Sequence, residues 1–148
     1  MDDSPVHDIS EDECLKLLAA FDMGRIAFRL GDELEMLPVN YHASGREITV
    51  ATAPGTRLAA GMLTGGLLLE IDHIGVREAW SVVARGRARL LQEPEELAEA
   101  EALPIHPLIH AERRQFLRIP IDRVTGRRFH RLPEQPASVV SPAAADEG

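Results

Sequence analysis

The sequence contains very little cysteine and lysine and few aromatic residues. Cys14 is the only cysteine among 148 residues, which excludes internal disulfides and cysteine-based zinc sites. Lys16 is the only lysine among the 16 basic residues, and aromatic residues make up 4% of the chain. No run of about 18 apolar residues is present, and the first residues are acidic where a signal peptide would be basic. We therefore expect a cytoplasmic protein without a membrane partner.

Acidic residues are concentrated at the two ends of the chain. Six lie within residues 1–13 and three within residues 134–148, and neither segment contains lysine or arginine. Without these nine, the net charge of −8 becomes +1 for residues 14–133. Nonspecific nucleic-acid binding needs a sustained positive field, so we expect no nucleic-acid partner. Composition predicts one folded domain, residues 10–132, between an acidic flexible N-terminus, residues 1–9, and a disordered tail, residues 133–148.

The order of predicted elements favours a mostly β protein. Ser10 and Glu13 form a capping-box pattern in front of an apolar helical repeat. The strands that we predict are Gly24–Leu30, Glu33–Tyr41, Glu47–Thr52, Leu67–Asp72, Glu78–Leu91, Phe116–Ile121 and Gly126–His130. A short helix opening at Ala53 and an acidic helix at Glu93–Leu103 lie between them. Six or seven strands without a βαβ rhythm predict an antiparallel barrel with short peripheral helices, and Gly86 suits a barrel corner.

Residues 52–58 combine features of an anion site. A strand ends and a helix begins here, and Gly55, Thr56 and Arg57 supply a small residue, a hydroxyl and a guanidinium. This combination is typical of a phosphate held at a helix N-terminus. A well-capped corner helix with a surface arginine is the alternative interpretation.

A second segment places arginines at alternate positions of a strand. Arg85, Arg87 and Arg89 would share one face, where they need either acidic neighbours or an anionic ligand. A solvated face paired with glutamate explains the same pattern. Trp80, the only tryptophan, suits either a planar cofactor, a subunit boundary or the core.

A third segment has a proline inside a predicted strand. Pro38 removes one donor of the strand ladder, which predicts an edge or a bulge. Free main-chain groups at such an edge could pair with a heteroaromatic ligand. The alternative is an edge strand that the proline protects from aggregation.

Other chemical signals are weak. His106 and His110 have a helical metal spacing, but Pro104 and Pro107 oppose a regular helix, so no metal site is expected. Cys14 is expected in the core. No paired carboxylates and no serine–histidine–acid set stand out, so the catalytic residues stay unknown.

Taken in order, these segments resemble the pyridoxamine 5′-phosphate oxidase-like FMN-binding split-barrel family over roughly residues 9–130, and in particular its short bacterial flavin-nucleotide-binding members. The segments that carry the resemblance are Glu13-Cys14-Leu15, Gly24-Arg25-Ile26-Ala27, Pro38-Val39-Asn40-Tyr41, Thr52–Leu58, Glu70-Ile71-Asp72, Trp80–Ala88, Arg118-Ile119-Pro120 and Val124–Phe129.

The resemblance implies an antiparallel six- to seven-stranded split β-barrel with peripheral helices, assembled as a homodimer with FMN in the clefts between subunits. One strand would lie against the isoalloxazine ring through main-chain groups, the 52–58 segment would hold the phosphate and ribityl chain, and the tryptophan segment would approach from the other subunit. The implied cofactor-binding residues are Pro38, Val39, Asn40, Tyr41, Thr52, Gly55, Thr56, Arg57, Leu58, Trp80, Ser81 and Arg87.

The implied function is that of an FMN-dependent oxidoreductase acting on an unknown small molecule. A deazaflavin-dependent reductase would use the same phosphate site. A non-enzymatic module that binds or stores a flavin or a haem is the other alternative. It is favoured by the absence of a tryptophan after the second helix, where many family members carry one and this chain has His106-Pro107-Leu108.

Overall fold

A computed structural model describes residues 4–53, 55–106 and 113–131 of the chain. Within these ranges it contains eight strands and three short helices. Their order is β1 (Val6–Ile9), α1 (Glu11–Ala20), β2 (Met23–Leu30), β3 (Glu33–Ser44), β4 (Glu47–Thr52), α2 (Arg57–Met62), β5 (Gly66–Ile74), β6 (Glu78–Arg87), β7 (Arg89–Leu90), α3 (Pro94–Glu101) and β8 (Gln115–His130).

Six of the strands close into an antiparallel ring. The order around the ring is β8, β4, β3, β2, β5 and β6, and β6 pairs again with β8. The short strands β1 and β7 each add to β8 outside the ring. The prediction of a mostly β, antiparallel six- to seven-stranded split barrel with peripheral helices is confirmed.

Two long strands each pair with different neighbours along their length. β3 pairs with β2 as far as Asn40 and with β4 from Tyr41 onward. β8 pairs with β4 through Pro120 and with β6 from Ile121. The register of β6 against β8 shifts at Gly86, where a side-chain carbon would collide with the carbonyl oxygen of Pro120. A glycine is therefore required at this bend, as its position in the sequence indicated.

The inward faces of the strands form the main core. The largest fully buried side chains include Ile26, Ile48, Leu69 and Leu117, and burial of each such side chain contributes about 1.5–3 kcal/mol. α1 is capped by Ser10, whose Oγ accepts a hydrogen bond from the Glu13 N–H at 3.2 Å. It closes one side of the barrel with Cys14 and Leu18, so the cysteine is part of the core. A second, smaller core packs α3 against Leu91, Ile105 and Phe116.

Two local predictions about the ends of the sheet were wrong. The flexible N-terminus predicted through residue 9 does not extend over Val6–Ile9, which form β1 against residues 126–129 of β8. The two strands predicted at 116–121 and 126–130 are one continuous strand. Strand pairing over more than 100 residues of sequence leaves no local signal, because the partner edge comes from the opposite end of the chain. The predicted disordered tail, 133–148, lies outside the described residues.

Candidate functional site

The 52–58 segment forms a corner between β4 and α2. Gly55 has φ +72°, a conformation that favours glycine, and Thr56 is the N-cap of α2. The Thr56 Oγ1 accepts the Ala59 N–H at 3.0 Å, so this hydroxyl is used by the helix itself. α2 begins at Arg57, later than the predicted opening at Ala53; Pro54 lies outside the described residues. The corner places the first-turn N–H groups of α2 beside the end of β4.

The hydroxyl of Thr52, the last residue of β4, is buried and has no hydrogen-bond partner in the part of the chain that the structure describes. Leaving a buried polar group unpaired costs about 1–3 kcal/mol. A native protein retains such a group where a ligand or a water completes its hydrogen bonding. Thr52 is the one predicted site residue whose own environment points to a missing partner.

Arg57 and Leu58 follow on the first turn of α2 and are exposed, Leu58 by 37%. Arg57 makes no ion pair with any described residue, whereas Arg25, Arg46, Arg89, Arg118 and Arg128 all do. Its guanidinium is therefore available to an anion.

The segment Pro38–Tyr41 divides by strand alternation. Val39 and Tyr41 point into the core, 7% and 1% exposed, and the Tyr41 hydroxyl donates to the Leu18 carbonyl oxygen at 2.7 Å. Burial, with a smaller contribution from Asp22, raises the pKa of Tyr41. Pro38 and Asn40 point outward, and the Asn40 Nδ2 donates to the His106 carbonyl oxygen. Residues 33–40 of β3 pair with β2 alone among the described strands, so Pro38 lies at an edge, as predicted.

The tryptophan segment is also divided between two faces of β6. Trp80 is 8% exposed, and its ring contacts Phe21 and His73 at centroid distances of 5.4 and 6.3 Å. It is a core residue of its own barrel. Ser81 points outward and pairs in register with Asp72, and Arg87 lies exposed at the end of the strand. These three residues do not converge with residues 52–58 in any described cavity.

The sequence predicted that Arg85, Arg87 and Arg89 share one face of a single strand, and this prediction is wrong for Arg89. β6 ends at Arg87, and Arg89 belongs to β7 on the other side of Ala88. The Arg89 guanidinium binds the Glu96 carboxylate of α3 with two hydrogen bonds of 2.6 and 3.1 Å. For this arginine the glutamate-paired alternative is correct. Arg85, in contrast, donates to the Thr125 hydroxyl at 3.3 Å.

The outward-pointing residues of β3, β2, β5 and β6 form a surface that we name the outer sheet face. It exposes several large apolar side chains: Leu34 (79%), Met36 (66%), Met23 (49%) and Leu68 (37%). A cavity of about 710 Å³ lies on this face, with an apolar floor and guanidinium groups at its border. Contiguous exposed apolar surface of this kind is typical of an interaction site.

Near the middle of the outer sheet face, Arg25 lies between two carboxylates of β5. Its Nη1 is 3.7 Å from the Glu70 Oε1 and 3.5 Å from the Asp72 Oδ2. Burial and a hydrogen bond to Asp72 raise the pKa of Glu70 to about 7, while Arg25 opposes that rise. A cleft of about 250 Å³ opens beside this cluster, between Met23, Pro38 and Asp72.

Sequence reasoning missed this carboxylate pair. Glu70 and Asp72 are two residues apart in a strand and therefore share one face. The signal was the presence of two acidic side chains at alternate positions in an otherwise apolar run. The cation that accompanies them, on β2, is 45 residues earlier in the sequence and is brought near by strand pairing.

No group of three or more histidine, cysteine, aspartate or glutamate side chains suited to a metal ion occurs among residues 4–53, 55–106 and 113–131. His106 is described, but His110 lies outside these ranges. None of the described helices is long and apolar enough to cross a membrane.

The ring of six antiparallel strands with a helix-capped corner defines the chain as a split β-barrel protein. A family profile described as pyridoxamine 5′-phosphate oxidase matches residues 10–128. The chain belongs to the pyridoxamine 5′-phosphate oxidase-like family.

Three proteins illustrate the similarity. An uncharacterized protein of Mycobacterium tuberculosis is 31% identical over 131 residues, covering 84% of this chain and 86% of the relative. A solved Corynebacterium glutamicum structure, provisionally named a pyridoxamine 5′-phosphate oxidase, has a TM-score of 0.76 and 32% identity and covers 87% of this chain and 97% of its own. The structure of an FAD-binding protein from Mycobacterium smegmatis has a TM-score of 0.73 and 31% identity, with 84% and 98% covered.

Proposed function

We propose that this protein is a homodimeric flavin-binding protein that holds FMN at the corner between β4 and α2 and acts as an oxidoreductase on a small molecule. The observation that carries the proposal is the buried hydroxyl of Thr52, which has no hydrogen-bond partner among the described residues. A phosphate oxygen is a strong acceptor for such a hydroxyl. Family membership and the similarity to the FAD-binding protein of M. smegmatis support a flavin as the ligand.

The donors at the corner fit a phosphate monoester. Thr52 would donate its hydroxyl, Arg57 its exposed guanidinium, and the start of α2 the main-chain N–H groups that precede the capped N–H of Ala59. Thr56 would act by holding α2 in place through its N-cap hydrogen bond to Ala59. Leu58, which is 37% exposed, would cover the ribityl chain.

The exposed side of β3 would receive the ring system. One side of residues 33–40 pairs with β2, and the main-chain groups on the other side have no strand partner among the described residues. Those groups can pair with the polar edge of a flat ring. Val39 and Tyr41 would contribute only main-chain groups, because their side chains are in the core. Asn40 is held by its hydrogen bond to the His106 carbonyl oxygen.

A bound flavin supplies hydride and electron transfer. The chain itself would bind and orient the cofactor. We place the protein in the cytoplasm, in keeping with its single, buried cysteine.

A second copy of the chain is the occupant that we propose for the outer sheet face. The face exposes apolar side chains and carries charges of both signs, with Arg25 and Arg87 on one hand and Glu70 and Asp72 on the other. Such a surface can be complementary to itself across a two-fold axis. Ser81 and Arg87 point outward on this face and could reach a flavin of the partner copy. Trp80 is buried in its own barrel, so its ring is not included among the ligand contacts.

The test is the visible absorption spectrum of the purified protein, followed by chromatography of the nucleotide released on denaturation. We expect a flavin spectrum and released FMN. Released FAD would keep the flavin function and change the nucleotide, while a deazaflavin or a haem spectrum would replace FMN by one of the alternatives. A colourless protein whose melting temperature is unchanged by FMN, FAD and deazaflavin would overturn the proposal.

The enzymatic part needs a separate measurement. Bleaching of the bound flavin by a reduced nicotinamide, with reoxidation by a small electrophile, supports an oxidoreductase. A flavin that is bound tightly but is not reduced by any nicotinamide supports the non-enzymatic binding or storage alternative.

A further inference from the structure

The Arg25–Glu70–Asp72 cluster has an unusual setting for three charged groups, because it lies on the outer sheet face among exposed large apolar side chains. Glu70 is opposite Arg25 in the pairing of β2 with β5, and Asp72 is the next outward residue of β5. The side chains of Arg25, Glu70 and Asp72 are 56%, 29% and 37% exposed. Any partner that covers the outer sheet face would remove them from water.

Among the residues that the structure describes, Arg25 is the only cation that makes an ion pair with either carboxylate. On β6, the residues opposite Glu70 and Asp72 are the neutral Val83 and Ser81. Arg85, one outward position further, is engaged with Thr125 of β8. On β3, beyond β2, the residue in line with Arg25 is Pro38. His73 is adjacent to Asp72 in the sequence but contacts the inward-facing Trp80.

The cluster therefore carries one fixed positive charge against two carboxyl groups. With both carboxyls ionised its net charge is −1, and with one proton shared between them it is neutral. Burial and the hydrogen bond to Asp72 already raise the pKa of Glu70 to about 7 in the free chain. Further removal of water penalises the charged form more strongly, because burying an uncompensated charge is costly.

We infer that association of two copies through the outer sheet face takes up one proton at each Glu70–Asp72 pair, so that the dimer becomes tighter as the pH falls. This inference rests on the dimer of the proposed function and adds to it a regulation of assembly by pH. Lowering the pH neutralises the cluster, and the neutral cluster is less costly to bury against an apolar partner surface.

Proton linkage sets the size of the expected effect. Two protons are taken up per dimer. The dissociation constant would therefore rise by up to about a hundredfold for each unit by which the pH increases. This slope applies where the pair is ionised in the single chain and protonated in the dimer. The window opens near the free-chain value, about 7, and extends upward.

The experiment is sedimentation equilibrium of the full chain between about pH 6 and 8.5 at constant ionic strength, with flavin content measured on the same samples. Glu70→Gln removes the shared proton site, and Glu99→Gln on α3, outside the outer sheet face, removes the same formal charge. Both variants retain all the histidine side chains of the wild type. We expect the dissociation constant to rise with pH in the wild type and in Glu99→Gln, and to change at least tenfold less in Glu70→Gln.

A dimer of wild-type chains whose dissociation constant does not change with pH would overturn the inference, and so would a Glu70→Gln slope equal to that of Glu99→Gln. In both cases a bound flavin would leave the proposed cofactor function standing. A chain that is monomeric at every pH overturns the inference together with the proposed dimer. Loss of flavin binding with a pH-dependent dimer would overturn the cofactor function alone.

Discussion

Thr49 and Thr52 lie on the same strand, β4, but only one of their hydroxyls has a partner in the described structure. The Thr49 Oγ1 accepts two hydrogen bonds from the Arg118 guanidinium, at 3.2 and 3.3 Å. The Thr52 Oγ1 is buried without a partner. The first hydroxyl serves the fold, and we propose that the second serves a ligand.

This contrast predicts opposite effects for two threonine-to-valine substitutions. Thr52→Val should leave the free energy of unfolding of the ligand-free protein unchanged or raise it, because no hydrogen bond is lost. It should weaken flavin binding roughly ten- to a hundredfold, the value of about 1.5–3 kcal/mol for a hydrogen bond to a charged group. Thr49→Val should instead lower the free energy of unfolding by about 1–3 kcal/mol, since Arg118 loses its two hydrogen bonds to Thr49. Urea denaturation and flavin titration measure the two quantities.

Arg57→Ala tests the guanidinium at the start of α2. Removing a charge-assisted phosphate contact should cost about 1.5–3 kcal/mol of binding free energy, roughly ten- to a hundredfold in affinity. The melting temperature without ligand should hardly change, because Arg57 is exposed and unpaired among the described residues. Arg46→Ala is the matched control at the opposite end of β4; its exposed ion pair with Glu11 contributes at most about 1 kcal/mol to stability. Equal flavin affinities of the two variants would contradict the assignment of the corner.

The raised pKa of Glu70 predicts how stability varies with pH. Its value of about 7 lies above the ordinary 4.5, so the native state binds this proton more tightly than the unfolded chain does. The stabilisation is therefore complete below about pH 4.5 and is lost as the pH rises toward 7. Urea denaturation of dilute protein should show the stability of Glu70→Gln rising relative to wild type across this range. A constant difference between the two proteins would show that Glu70 titrates normally.

Gly86 should be intolerant of any side chain. The added carbon of Gly86→Ala would collide with the Pro120 carbonyl oxygen of β8, at the point where the β6–β8 register shifts. We expect a loss of about 1–3 kcal/mol in the free energy of unfolding, the usual range for overpacking. Gly65→Ala has no atom within 4 Å of the added carbon and should be neutral or slightly stabilising. Thermal unfolding of the two variants side by side decides between a steric and a general glycine effect.

Much of the fold could be predicted because its signals are local. The Ser10 cap, the strand alternation from Met23 to Thr52 and the glycine at the β6 bend each depend on a few neighbouring residues. The 52–58 segment was recognisable for the same reason, since small, hydroxyl and cationic residues follow each other directly. The register of β1 on β8 was not predictable, because the pairing partners are at opposite ends of the chain.

The sequence by itself determined the class of the protein, a β-barrel with short helices, and the composition of its candidate phosphate corner. Only the tertiary structure decided which side chains remain available there. It left the Thr52 hydroxyl without a partner in the described part of the chain, placed Trp80 in the core and brought Arg25 to Glu70 and Asp72. The reason is that hydrogen-bond satisfaction, burial and charge pairing depend on residues from different strands, whose distances are set by closure of the barrel and not by spacing along the chain.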